Sequence, residues 1–559
     1  MKKKLLVVLL TLSSLLFLWP AKAEAADSSS LNNKIGIHLA IPSYEDLQKA
    51  ADLVNSNQGD WGYVTLVIHE DDLNKEKWQG IFEQLRRLHL IPILRLATSL
   101  ENNSWRAPEI EEAQKWAKFL NSLNWVVKNR FVVLFNEPNR ADEWGGQVNP
   151  VNFAEVTYNF AKTLKETNPD FLVMMAGFDS AAPSSLPQYE DEASFLRKAL
   201  VSQQNLFDYL DGWVSHSYPK NNLGYGRNSV FNYQWELNLL KNLGIKKTLP
   251  VFITETGWCH QEGKTPDLNF YSAEKVAQLT KNYLNELLKD TGVMAVTPFI
   301  LNYQDELFDH YSWQKLNSEE FYPQYKSVQQ MTKVKGEPIQ EEKITLLTSL
   351  PAKLIKDSTY QLGLIIKNEG QGFWDQKDDY QLKLEGLPSD FQYFFSDFDT
   401  LAPFEEKTVW LHLKTGEKTQ TLPLKINLTK KGKVIGNQIN WPLEIIQETT
   451  IKIISKFLFG RKAAGDDFKF LIYNQREEVV YGVEHFSLKS GEGEIKGIKN
   501  LIIGETYRLV LIKPFYLPRQ TFLKINEENN IAIFKALLPF DFNNDGKLSF
   551  RDCLTFLRR

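Results

Sequence analysis

Cysteine is scarce in this chain of 559 residues, with Cys259 and Cys553 the only two. A disulfide framework of the kind that staples small exported domains is therefore excluded, and stability has to come from burial. A basic excess is lacking too: 65 Lys and Arg against 69 Asp and Glu leave a formal charge of −4. That balance supplies no positive field for nucleic acid or for an anionic lipid surface, and neither is expected as a partner. Long apolar runs are confined to one stretch, Leu5 to Trp19. Low-complexity linkers and internal repeats are missing, so the domains are expected to abut closely.

What is present is the composition of folded protein, 43% hydrophobic and 24% charged, which argues against long disorder. The length suggests roughly three to four domains. Fourteen Trp fit a surface that stacks on the C–H faces of sugars, although a packed core accounts for tryptophan more often. Met1-Lys2-Lys3-Lys4, the apolar run, and Ala21-Lys22-Ala23-Glu24-Ala25-Ala26 have the layout of an export signal over residues 1–26. The run is shorter than the roughly 20 residues that span a bilayer. A secreted or cell-surface protein is expected, with no transmembrane segment after cleavage and no cysteine near the cleavage site for lipidation.

From residue 31 to about 335, short apolar runs alternate with amphipathic helical patterns, which implies parallel strands joined by crossover helices. Eight strands are expected: Ile35 to Ala40, Tyr63 to His69, Ile91 to Ala97, Phe131 to Phe135, Phe171 to Gly177, Gly212 to Ser217, Leu249 to Thr254 and Val293 to Asn302. Leu47, Ala50, Ala51 and Val54 behind a Ser43-x-x-Asp46 cap mark one helix, and Trp78, Ile81, Phe82 and Leu85 another. Pro108 is expected to open a third, with Ile110, Ala113, Ala117 and Leu120 inward. Eight such units in about 300 residues predict an α/β fold, a (β/α)8 barrel. After Lys335 the apolar period becomes two, as in Leu362, Leu364 and Ile366, then Val409, Leu411 and Leu413, predicting two all-β sandwich domains over 336–447 and 448–535. Lys367-Asn368-Glu369-Gly370 with Phe373-Trp374 resembles immunoglobulin-like modules. Gly504-Glu505-Thr506-Tyr507 and Tyr516-Leu517-Pro518 are similar to carboxypeptidase-regulatory, transthyretin-like domains.

Strand four runs into Asn136-Glu137-Pro138-Asn139 and strand seven into Glu255-Thr256-Gly257-Trp258. In (β/α)8 enzymes the chemistry sits at the C-terminal ends of the strands, so both carboxylates face one mouth. Glycoside hydrolysis needs one carboxylic acid to protonate the leaving oxygen and one carboxylate at the anomeric carbon. Asn-Glu-Pro after strand four with a Glu after strand seven resembles the clan A superfamily of retaining glycosidases over residues 31 to 335. That resemblance implies Glu137 as acid/base, Glu255 as nucleophile, Asn136 as donor to the sugar 2-hydroxyl, and a β-linked carbohydrate substrate. His216 and Tyr218 after strand six resemble residues that flank the nucleophile there. A Tyr218 hydroxyl on Glu255 would hold it ionised. Arg95 and His38 end strands three and one, while Trp258, Tyr303 and Trp313 are candidates for sugar-stacking subsites. Strand eight closes with Phe299-Ile300-Leu301-Asn302-Tyr303 where many clan members have Trp, which leaves the individual family and the sugar open.

Residues 536–559 contain Asp541, Asn543, Asp545, Ser549 and Asp552 at loop positions 1, 3, 5, 9 and 12, with Gly546 at position 6 and the Lys547 carbonyl at position 7. Hard oxygen ligands at that spacing suit Ca²⁺. The segment resembles half of a dockerin. One half alone makes a structural calcium clip the expected role and counts against a cohesin partner, and catalysis itself calls for no cofactor. The rival functions are a non-catalytic carbohydrate-binding or cell-surface scaffold protein, since fold does not fix function, and a metal-dependent hydrolase. The eight His form no H-x-x-x-H pair in support of the latter.

Overall fold

Val132, Val133 and Leu134, like Val173, Met174 and Met175, are runs with no polar residue, and such runs are comfortable only in a strand covered on both faces. A computed structural model describes residues 31–219 and 224–558. The expected export signal lies outside these residues. Two compact units are resolved, one ending at Gln340 and the other beginning at Glu341.

In the first unit eight parallel strands follow one another: β1 (Gly36–His38), β2 (Gly62–His69), β3 (Leu90–Ala97), β4 (Arg130–Leu134), β5 (Phe171–Met175), β6 (Trp213–His216), β7 (Val251–Glu255) and β8 (Val293–Val296). They form two ladders, a five-stranded one from β1 to β5 and a three-stranded one from β6 to β8. A single parallel bridge joins the ladders on each side, Met174 to Gly212 and Ile35 to Val296. The ring of strands is thereby closed, and no edge is left to pair with another chain. Inside, Phe131 and Phe252 meet with ring centroids 5.3 Å apart, each such ring contributing about 1.5–3 kcal/mol by leaving water.

The connecting helices present one apolar stripe each. Helix α1 (Tyr44–Val54) starts where Ser43 accepts from the Asp46 amide at 3.1 Å, and α2 (Lys75–Arg87) buries Trp78, Ile81, Phe82 and Leu85. The third helix begins later than Pro108 suggests. Glu109 and Glu112 cap a short 3-10 turn, Ile110–Glu112, through a 2.9 Å bond from the Glu109 amide to the Glu112 carboxylate, and α3 (Ala113–Asn121) continues from it. The regular part of strand eight is also shorter than the apolar run: it ends at Val296, near Pro298, which has no N–H for the ladder, although the Phe299 amide still donates to the Thr256 carbonyl and the Pro298 carbonyl accepts from the His38 amide. Beyond the last helix the chain still hydrogen-bonds the barrel, with the Lys128 amide donating to the Ile339 carbonyl at 2.8 Å.

The second unit contains two apolar cores. The first lies between a sheet made of Ile344–Leu346, Thr359–Asn368, Glu406–Lys414 and Gln392–Phe395 and one made of Lys353–Ile355, Lys433–Ile446, Gln420–Lys430 and Tyr380–Glu385. Burial alternates strictly at Leu362, Leu364 and Ile366, the period-two signature. The second core gathers Ile451, Ile453, Phe468, Phe470 and Leu509 between a three-stranded and a five-stranded sheet. Pro539–Asp541 is the edge strand of the latter, so the acidic loop starts directly from that sheet. Among the described residues no helix is long and apolar enough to cross a membrane.

Candidate active site

Strand β4 delivers Phe135, Asn136 and Glu137 to the mouth of the barrel through an unusual backbone. Phe135 and Glu137 have φ of 69° and 26°, a region that costs a non-glycine residue of order 1–3 kcal/mol and persists only where the surroundings over-determine it. Here the Glu137 amide donates to the Gly177 carbonyl at 3.0 Å. The Glu137 carboxylate is in turn 2.8 Å from Nδ1 of His216 and 3.3 Å from Nη1 of Arg140.

Glu255, the last residue of β7, is 8% exposed. Arg95 Nη1 donates to its Oε1 at 3.2 Å and the Tyr218 hydroxyl to its Oε2 at 3.1 Å. Burial alone would raise this carboxyl. The charges of His216 and Arg95, with the Tyr218 hydroxyl, outweigh it and hold Glu255 below the usual carboxylate range. Burial drives the His216 imidazole down, but the two glutamates prevail and raise it. Ligand atoms of Glu137, His216 and Glu255 all lie within 4.8 Å of one another.

The contacts cross between the ladders. Arg95 belongs to the five-stranded ladder and holds Glu255 on the three-stranded one. His216 belongs to the three-stranded ladder and holds Glu137 on the five-stranded one. The same trio could geometrically receive a divalent cation, a juxtaposition that no sequence spacing shows. The guanidinium groups of Arg95 and Arg140 already face both carboxylates, however, and like charge opposes a metal there.

The other residues singled out from sequence divide. Asn136 accepts from Arg95, and His38 sits behind the pair with Nδ1 3.3 Å from the Thr254 carbonyl. Burial, foremost, lowers the His38 imidazole to about 4, so it is neutral. Tyr303 borders a cavity of about 350 Å³ beside the glutamates. Trp258 instead borders a separate cavity with Tyr225 and Phe231 and packs on Tyr283. Trp313 corrects the sequence reading: it is 4% exposed within the barrel core and has no face for a sugar.

Four residues escaped the sequence reading. Trp105, on a short hairpin after β3, and Glu143, in the turn after Asn139, border the same cavity. Arg140 reaches Glu137, and its place three residues later in the same loop was the available signal. Gly177 had none. A Cβ on it would come within 2.4 Å of the His216 ring, so glycine is what allows the imidazole to lie against Glu137.

In the C-terminal loop the acidic side chains meet backbone amides. Asp541 accepts from the Asp545 and Gly546 amides at 3.1 Å each. Asp552 accepts from the Asn543 amide at 3.3 Å and the Ser549 amide at 2.8 Å. Ser549 and Asp552 also form the capping box of a terminal helix, Phe550–Leu557. Gly546 takes φ of 76° at the sharp turn.

No protein-family model and no curated protein matches the chain. Among solved structures, it is similar to the FMN-binding beta-glucuronidase from Facaelibacterium prausnitzii L2-6, with 12% identity, a TM-score of 0.35, and coverage of 76% of this chain and 57% of that one. A monomeric beta-xylosidase from Caulobacter crescentus CB15 is matched at 9% identity and a TM-score of 0.39, over 84% of this chain and 95% of that one. The beta-mannanase from Thermomonospora fusca is matched at 12% identity and a TM-score of 0.32, over 51% and 83%. The chain thus spans little more than half of the glucuronidase. All three are glycoside hydrolases, but at such scores the likeness carries no functional weight.

Proposed function

We propose that this protein is a retaining glycoside hydrolase acting on a β-linked carbohydrate, with its catalytic barrel over residues 31–335. The supporting observation is the approach of Glu137 and Glu255, each at the end of its strand, to within 4.8 Å together with His216. Glu255, kept ionised by Arg95 and Tyr218, attacks the anomeric carbon while Glu137, as the acid, gives its proton to the departing oxygen. Glu137 then takes a proton from water, which attacks the glycosyl ester and frees Glu255 with configuration retained. Asn136, oriented by Arg95, is placed to donate to the sugar 2-hydroxyl.

The reading extends to the rest of the chain. Residues 1–26 direct export, placing the enzyme outside the cell or on its surface. Residues 336–447 form an immunoglobulin-like module and 448–535 a carboxypeptidase-regulatory-like one. The loop of Asp541, Asn543, Asp545, Lys547, Ser549 and Asp552 fits a hard cation, being an oxygen donor set on one tight turn. Calcium held there would lock the loop and its helix to the preceding sheet.

The deciding experiment is hydrolysis of β-glucans, xylans, mannans and galactans by the full chain after export, alongside Glu137→Gln and Glu255→Gln. Each substitution is expected to lower turnover by at least ~10²–10⁴-fold with an unchanged circular dichroism spectrum. Binding without turnover by the wild type would favour the scaffold alternative. Activity restored by added zinc would favour a metallohydrolase.

A further inference from the structure

A cavity of about 350 Å³ includes Arg95, Arg106, Asn136, Glu143, Trp105 and Tyr303 in its wall; neither Glu137 nor Glu255 lines it, and it reaches them through Asn136, the residue before Glu137, and Arg95, which holds Glu255. Its two guanidinium groups are already neutralised. Arg95 pairs with Glu255 at 3.2 Å, and Arg106 pairs with Glu70 and, at 2.7 Å, with Glu112. Glu143 has no salt bridge among the described residues; its side-chain partner is the Asn136 amide. The oxygen of that amide accepts from Arg95, so its nitrogen is the group that faces Glu143. A sugar entering here therefore meets two spent cations and one carboxyl that is held by an amide and by no salt bridge.

We infer that Glu143 determines specificity at this site, accepting a hydroxyl of an uncharged sugar and turning away uronic acids. A uronate carboxylate beside Glu143 would be a buried anion with no free guanidinium to receive it, and such an unpaired charge discriminates against the ligand that carries it. A neutral sugar instead gains a charge-assisted hydrogen bond from its hydroxyl. Burial, ahead of the opposing Arg95 charge, pushes the Glu143 carboxyl up to about 7, so the discrimination is to be read above that pH, where the carboxylate is charged. The inference takes the location of the sugar from the glycosidase reading, but it concerns binding and does not require turnover.

The test is calorimetric titration of the full chain carrying Glu255→Gln, to prevent hydrolysis, with matched β-1,4 pairs: cello-oligosaccharides against glucuronate oligomers and manno-oligosaccharides against mannuronate oligomers. One neutral member is expected to bind at least ~10-fold more tightly than its uronate counterpart, and adding Glu143→Gln, or Glu143→Ala if the first does not fold, is expected to close that gap. Equal affinity for both members of each pair, a gap unchanged by Glu143→Gln, or no binding by either neutral series would each overturn the inference. Turnover by the wild type, measured separately, reports on the glycosidase reading alone: hydrolysis with an unchanged gap defeats only the Glu143 assignment, and selective binding without hydrolysis defeats only the enzymatic one.

Discussion

The Tyr218 hydroxyl lies 3.1 Å from Oε2 of Glu255 and donates to it from the loop that follows β6. The hydroxyl favours the charged form of Glu255 and, with His216 and Arg95, overcomes the upward pull of burial. Tyr218→Phe removes that donor, so the Glu255 carboxyl must move up and the acid limb of the kcat/KM profile must shift to higher pH. At neutral pH the loss is expected to stay within ~10-fold, about one hydrogen bond. An acid limb that stays in place in a pH series would remove Tyr218 from the role.

Gly177 provides a different test, because its effect is purely steric. In Gly177→Ala the new methyl would lie 2.4 Å from the His216 ring, which must move away from Glu137. Displacement of about 1 Å at a reacting centre can cost ~10²-fold, and a kcat loss of that order is expected. Wild-type kcat in the variant would show that His216 does not position Glu137.

His38 links the site to stability. Its folded pKa of about 4 is below the ordinary 6.5 because burial disfavours the imidazolium. Between those values the unfolded chain takes up a proton that the folded chain refuses, so stability is complete above pH 6.5 and is lost as pH falls toward 4. At about pH 5 the loss is about 2 kcal/mol. In His38→Gln the drop in melting temperature from about pH 7 to about pH 5 should shrink accordingly; an undiminished drop would place the proton uptake elsewhere.

Calcium at the C-terminal loop is tested by chelation. If Asp541, Asn543, Asp545 and Asp552 hold the ion, a chelator should lower the melting transition of the second unit and leave turnover by the barrel unchanged. Asp552 instead of Glu at the last ligand position argues for a modest affinity, so millimolar calcium should restore the transition. A transition indifferent to chelator would leave Asp552 with its helix-capping role alone.

The eight strands were legible in the sequence because strands buried on both faces must be apolar throughout, and the carboxylates because each directly follows such a run. Boundaries were less so. The apolar run through Leu301 continues past β8, and only the missing N–H of Pro298 hints at where the regular ladder ends. Trp313 shows the opposite problem: a tryptophan for a sugar and a tryptophan for a core are the same letter, and the packing around it decides. Gly177 and Glu143 were invisible because their roles depend on what approaches from another strand or loop, Gly177 across from His216 and Glu143 beside Asn136.

The two seams of the barrel have a further consequence. Each seam has one ladder bridge and further backbone bonds, such as the Asp211 amide on the Val173 carbonyl and the His38 amide on the Pro298 carbonyl, and the paired acids on opposite ladders add the ties of Arg95 and His216. On the proposed reading, the charges that would perform the chemistry also help to fasten the mouth. A glutamine at either position retains a polar tie, but an alanine would unfasten one, and amide hydrogens along Met174–Gly212 should exchange faster in Glu137→Ala than in Glu137→Gln. The two glutamates would then serve twice, once for reactivity and once as rivets.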